Sequence, residues 1–290
     1  MMHLLHLPDE LWSRVLHYVD DNSVTAFALA CKALRRVQRA SKRVLRTNPR
    51  RLPAARVSFS EDWCLWCALL PEESSSSALF LARAAAYFGH LEATKVLASC
   101  SDSEATAFAA LGGHLDVLRY LHEHGCPWDK LTCQYAAQGG HLEVLRYAHE
   151  HGCPLDVHAC NLAAQHSNLD VLKYLMEEAE CPYQQGYICT PAALGGDLEV
   201  LIYLRQGWGE AWDEVTCAAA AHGGHLRLLR YLRKEGCPWD GLTCFHAAAN
   251  GRLDVLKYAR ENGCPLDRER SLEAAREAGH SHVVRYLLVV

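Results

Sequence analysis

Cysteine and histidine offer this chain its widest choice of chemistry, with 14 Cys and 17 His among 290 residues. Thiolates and imidazoles ligate zinc, thiols pair into disulfides, and either group can serve as a nucleophile or base. Most of the cysteines fall into two series. One is Cys126, Cys153, Cys181, Cys237 and Cys264; the other is Cys133, Cys160, Cys189, Cys217 and Cys244. Members of one series that occupy equivalent places in stacked helices lie about one interaxial distance apart, roughly 8–10 Å. A disulfide needs Cα atoms within about 7 Å. A shared zinc needs each sulfur about 2.3 Å from the metal. Neighbours within a series meet neither condition, so these thiols are expected to pack as small apolar side chains. Cys64-Leu-Trp-Cys67 has the C-x-x-C spacing but no second pair at zinc-ribbon distance. The sequence shows no Gly-rich phosphate loop, no nucleophile elbow and no carboxylate pair outside the repeating pattern. No catalytic residue, metal or cofactor is expected, and the chain does not read as an enzyme.

The elements that carry these residues recur. A marker residue follows a glycine-type turn at His90, His114, His141, Asn168, Asp197, His225, Arg252 and His280. After it come apolar residues in helical rhythm, such as Leu115, Val117, Leu118 and Leu121, with Asp116, Arg119 and Glu123 between them. This pattern predicts an amphipathic helix of about three turns. Gly125, Gly152, Gly236 and Gly263 stop it, and a proline two residues later prevents continuation. The next helix opens at Asp129, Asp156, Asp213, Asp240 or Asp267, each placed to act as an N-cap. The preceding apolar residue (Trp128, Leu155, Trp212, Trp239, Leu266) suits a hydrophobic staple. Ala pairs such as Ala136-Ala137 keep this first helix thin, so neighbouring repeats can approach closely. A fixed period of this size means a stack of supersecondary units rather than a globule around one cleft. About eight helix pairs are expected over residues 78–290.

The core Ala-Ala-x-x-Gly-His-Leu-Glu-Val-Leu-x-x-Leu-x-x-x-Gly resembles the ankyrin repeat. The usual ankyrin repeat is longer, near 33 residues, and opens its first helix with Thr-Pro-Leu-His. Here Gly125 to Cys133 is shorter, and the missing residues are those that build a projecting β-hairpin finger. The resemblance therefore implies an all-α solenoid with blunt loops and no long fingers. The short form bearing Cys-Pro-Trp-Asp is similar to ankyrin arrays of large DNA viruses that infect amoebae. By the same resemblance, the turn histidines bond neighbouring backbone.

Residues 1–46 do not follow the repeat. Leu7-Pro8-Asp-Glu10-Leu11, then Val15-Leu16, Val19, and later Ala30-Cys31-Lys32, predict a small three-helix unit. Pro8 suits a first helical position, with Asp9 and Glu10 favourable in that turn. This pattern resembles the F-box, with Ser23-Val24 and Leu34 departing from the common residues. The resemblance implies docking on a Skp-type adaptor of a cullin ubiquitin ligase through Leu7, Pro8, Leu11, Val15, Leu16 and Cys31. The other reading of these helices is a cap that shields the first repeat of a binding scaffold with no ligase link. Residues 47–77 read as a linker, with a partial capping helix around Trp63 to Cys67.

The formal net charge is −5, yet residues 32–56 hold ten Lys or Arg and no acid. That run reads as a solvated face and linker, with a nuclear signal or a nucleic-acid patch as the less favoured readings. No stretch of 18 apolar residues suggests a membrane span, and His3, His6, Asp9 and Glu10 interrupt the N-terminus where a signal peptide needs an apolar run. The expected compartment is the cytoplasm, a host's if the chain is viral, with the nucleus as the alternative. Together the two modules imply a monomeric adaptor, a substrate receptor of a ubiquitin ligase whose stack holds a target protein. Target contacts are expected where copies differ on the first helices: Gln134, Tyr135, Asn161, Thr190, Phe245 and His246. The other reading of these six side chains is packing between repeats.

Overall fold

A computed structural model describes residues 75–98 and 103–289. Sixteen α-helices stand among the described residues, in eight consecutive pairs, and no strand is present there. The pairs are α1 (Ser75–Tyr87) with α2 (Leu91–Leu97), α3 (Ser103–Gly112) with α4 (Leu115–Glu123), α5 (Lys130–Gly139) with α6 (Leu142–Glu150), and α7 (Val157–Gln165) with α8 (Leu169–Lys173). Then come α9 (Cys189–Gly195) with α10 (Leu198–Ile202), α11 (Glu214–Gly223) with α12 (Leu226–Lys234), α13 (Gly241–Ala249) with α14 (Leu253–Glu261), and α15 (Arg268–Glu277) with α16 (Ser281–Val289). The odd-numbered helices pack on one another in sequence, and so form one layer of the stack. The first of them starts at Ser75, three residues ahead of the expected start of the solenoid.

The caps form as their residue types dictate. Asp129, Asp156 and Asp240 each accept from the backbone N–H two residues on, and Asp213 and Asp267 from the one three residues on. At the other end, Gly125, Gly152, Gly236 and Gly263 take φ of 77°, 85°, 81° and 81°. The N–H of the following cysteine then closes back onto Leu121, Ala148, Leu232 or Ala259 at 2.9–3.0 Å. This wide turn satisfies carbonyls that the helix end leaves open. Between the layers, Leu118, Leu121, Leu145, Leu172, Leu201, Leu229 and Leu256 are fully buried. The alanine pairs are buried too, and that lets the odd helices lie close.

Two of the even helices depart from the expected three turns. Alpha turns give way to π turns at Tyr174–Glu178 and Tyr203–Gly207. The cause is an inserted residue. His141 to Cys153 spans 12 positions, whereas Asn168 to Cys181 and Asp197 to Glu210 each span 13. The helix absorbs the extra residue as one wider turn. After the first of these segments Glu180 replaces the usual glycine and still takes φ 47°.

Candidate target-binding surface

Four marker residues, His141, Asn168, His225 and Arg252, bond to the backbone of the repeat before them. His141 Nε2 lies 3.1 Å from the Leu111 carbonyl, and His225 Nε2 lies 2.9 Å from that of Leu194. Asn168 does the same work with its amide, which donates to the Ala137 and Gln138 carbonyls at 2.8 and 2.9 Å. Arg252 donates to the His222 carbonyl at 3.3 Å. These bonds satisfy C-terminal carbonyls of the preceding odd helix. Burial holds the His114 imidazole below its usual value, against the opposing pull of the Tyr87 carbonyl. The histidine series is thus structural, as the ankyrin resemblance implies.

The odd helices and the turn before α9 leave some apolar side chains partly exposed, among exposed charged ones such as Lys130, Glu214 and Arg268. Tyr187 and Val215 are 43% and 42% exposed, and Leu131, Leu162, Leu194 and Leu242 are half-buried in equivalent or nearby positions. Five of the six expected contact residues, Tyr135, Asn161, Thr190, Phe245 and His246, keep partial exposure on these helices. Three of them are also tied to neighbouring repeats. Tyr135 meets Phe108 edge-on at 6.0 Å, His246 lies 5.6 Å from His222, and the Arg270 guanidinium sits 4.5 Å over Phe245. Burial, and then the neighbouring His222, keep the His246 imidazole below its ordinary value. Asn161 presents a buried amide oxygen with no bonding partner. Gln134 corrects the expectation of a variable, available side chain. It is 7% exposed, and its amide donates to both carboxylate oxygens of Asp156 at 2.9 and 2.8 Å. It joins one repeat to the N-cap of the next.

A second surface runs along the even helices and escaped the sequence reading. Tyr120, Tyr147, Tyr174, Tyr203, Tyr258 and Tyr286 recur at one position, and each ring carries a cation from the repeat before it. Lys95, Arg119, Arg146, Lys173, Arg230 and Lys257 sit 4.5–5.9 Å from the ring centroids. Such contacts contribute about 0.5–1 kcal/mol each at exposed sites. The signal was present as a basic residue followed by Tyr in most copies. The series breaks at Ile202, where the equivalent cation is missing. There Arg205 covers Trp212 instead, at 4.7 Å.

The ten cysteines of the two series are buried. The sulfur contact that forms is between the two series rather than within one. Cys217 Sγ stands 3.4 Å from Cys237 Sγ. Among the described residues no group of three or more His, Cys, Asp or Glu side chains is placed to hold a metal ion. Among the same residues no helix is long and apolar enough to cross a membrane.

The expected docking residues Leu7, Pro8, Leu11, Val15, Leu16 and Cys31 lie outside the described residues, as do Cys64, Cys67 and the basic run at 32–56. Comparison with known families bears on this part of the chain directly. A model of the F-box domain matches residues 4–44. A model of ankyrin repeats (3 copies) matches residues 107–185, which include α4 to α8. A search of curated proteins gave no match. The helical pairs on either side of residues 107–185 continue the same turn, cap and core pattern. The chain therefore joins an F-box domain to a stack of ankyrin repeats, two modules of protein interaction.

Proposed function

We propose that this protein is a substrate receptor of a cullin-type ubiquitin ligase. Its F-box docks a Skp-type adaptor through Leu7, Pro8, Leu11, Val15, Leu16 and Cys31, and its solenoid holds the target. The observation that carries this reading is the order of the modules: the F-box match at residues 4–44 precedes a stack of ankyrin repeats. The protein contributes proximity, which turns an encounter between ligase and target into an effectively intramolecular one. Target contacts fall on the odd helices, at Tyr135, Thr190, Phe245 and His246 with Tyr187 and Val215 beside them. Tyrosines such as Tyr135 and Tyr187 are of a residue type enriched among binding hot spots. The protein acts as a monomer with a division near residues 46 and 77.

A pull-down with purified Skp-type adaptor tests the reading. The wild-type chain should retain the adaptor, and a Leu7→Asp, Pro8→Ala variant should not. Equal retention by both, or none by the wild type, contradicts it.

A further inference from the structure

Each of four repeats contains a buried pair of thiols. In Cys133–Cys153, Cys160–Cys181, Cys217–Cys237 and Cys244–Cys264, the first member lies one turn into an odd helix. The second lies in the loop that follows the next even helix. At Cys217–Cys237 the two thiols are in hydrogen-bond contact, and the Cys133 thiol lies 3.9 Å from the Cys153 backbone carbonyl. The loop thiol donates in turn to the backbone carbonyl of the N-cap aspartate, at 3.1 Å from Cys153 to Asp129, 3.3 Å from Cys181 to Asp156, 3.2 Å from Cys237 to Asp213 and 3.1 Å from Cys264 to Asp240. These bonds hold each loop sulfur against the start of the odd helix that carries its partner. At Cys217–Cys237 the sulfurs are 3.4 Å apart, and a disulfide needs about 2.04 Å, so closure asks for a shift of about 1.4 Å.

We propose that these four pairs are sites of reversible disulfide formation, driven by a peroxide-class oxidant. One cysteine, as its thiolate, attacks an oxygen of hydrogen peroxide and breaks the O–O bond. The sulfur takes one oxygen to become a sulfenic acid, and hydroxide leaves and combines with the thiol's proton as water. The second thiol then displaces water from the sulfenic sulfur and closes the S–S bond. Two thiols and one peroxide give one disulfide and two waters. Cys153, Cys181 and Cys264 show 2–5% exposure while their helix partners show none, and Cys237 is as fully buried as Cys217. The neighbouring loop cysteine, and then burial, push the Cys133, Cys160 and Cys244 thiols up in pKa, so the reaction depends on local opening of the loop.

The repeat between these pairs provides an internal control. Cys189 occupies the helix position, but Glu210 stands where the loop cysteine belongs. Glu210 is buried and accepts from the Gly186 N–H at 2.7 Å. Oxidation thus staples two blocks, Cys133 to Cys181 and Cys217 to Cys264, and leaves the repeat between them unstapled. That central repeat carries a π segment and exposes Tyr187. The oxidised protein is a stack with two stiffened arms around one compliant unit.

The test uses the full-length reduced protein. It is treated with hydrogen peroxide, denatured in N-ethylmaleimide and digested without reductant for mass spectrometry. The expected cross-linked peptides join Cys133 to Cys153, Cys160 to Cys181, Cys217 to Cys237 and Cys244 to Cys264, with Cys189 alkylated. All four links should vanish after dithiothreitol, and the oxidised protein should melt at a higher temperature than the reduced one. A Cys237→Ser variant should lose one link and keep three. Links within one series, such as Cys133 to Cys160, overturn the proposal. So does oxidation to sulfinic acid without cross-links, or a melting temperature that does not rise. Mapping of the wild-type chain decides the matter even if the variant does not fold.

Discussion

At the residue scale, the stack depends on side chains that each serve two repeats. His141, Asn168 and His225 begin an even helix and also satisfy a carbonyl of the preceding repeat. Glycines at the ends of odd helices are required by this closeness: Gly139 before His141, Gly223 before His225 and Gly195 before Asp197. A Cβ at Gly195 would sit 2.0 Å from the backbone oxygen of Gln165. Gly195→Ala should therefore force two repeats apart and lower stability by about 1–3 kcal/mol, the usual range for overpacking, as read by urea denaturation. Titration adds a pH dependence. Burial lowers the pKa of His114, His122 and His246 below the 6.5 of a free imidazole. A group whose folded pKa is depressed binds fewer protons folded than unfolded, so its contribution is present above pH 6.5 and lost as pH falls through the folded value. Melting temperature should fall between pH 7.5 and 5, and a His246→Gln variant should show a shallower fall. The aspartate caps and turn glycines were legible in the sequence because each acts on its own backbone. Gln134 was not, because its partner Asp156 lies 22 residues away and their contact depends on how two repeats stack.

At the element scale, the repeating helix pair was readable from periodicity, and the fine structure of two copies was not. The inserted residues at the central repeats show in the spacing of the markers, but spacing alone leaves open whether a loop or a helix takes them up. The structure places them inside helices, as π turns, because the flanking caps and the buried Leu172 and Leu201 hold both ends in register. The tyrosine–cation column is a second feature of this scale. Arg230→Ala removes the cation over Tyr258 and should cost about 0.5–1 kcal/mol. Leu118→Ala, which empties a fully buried site between the layers, should cost about 2–5 kcal/mol. Denaturant unfolding of the two variants side by side checks the ranking, and equal stabilities would mean that α4 does not bury Leu118. The cysteine pairing belongs here as well. Each series was visible as a period, but contact between the series depends on how the loop folds back over the helix start.

At the scale of the whole molecule, the solenoid is close to one-dimensional: each repeat touches its neighbours and the sequence repeats its instructions. That is why the fold was legible from one copy read eight times. The surface that meets a partner is the part that does not repeat, so its identity is not written in the period. The F-box match supplies the direction of the functional reading. The central claim is that residues 4–44 recruit an adaptor of the Skp type while the stack remains intact. Isothermal titration calorimetry of the full-length chain against purified adaptor measures this most directly. The account predicts saturable one-to-one binding by the wild type, and no heat from a Leu7→Asp variant whose circular dichroism and melting are unchanged. Absence of binding by the wild type, or undiminished binding by that folded variant, would contradict it.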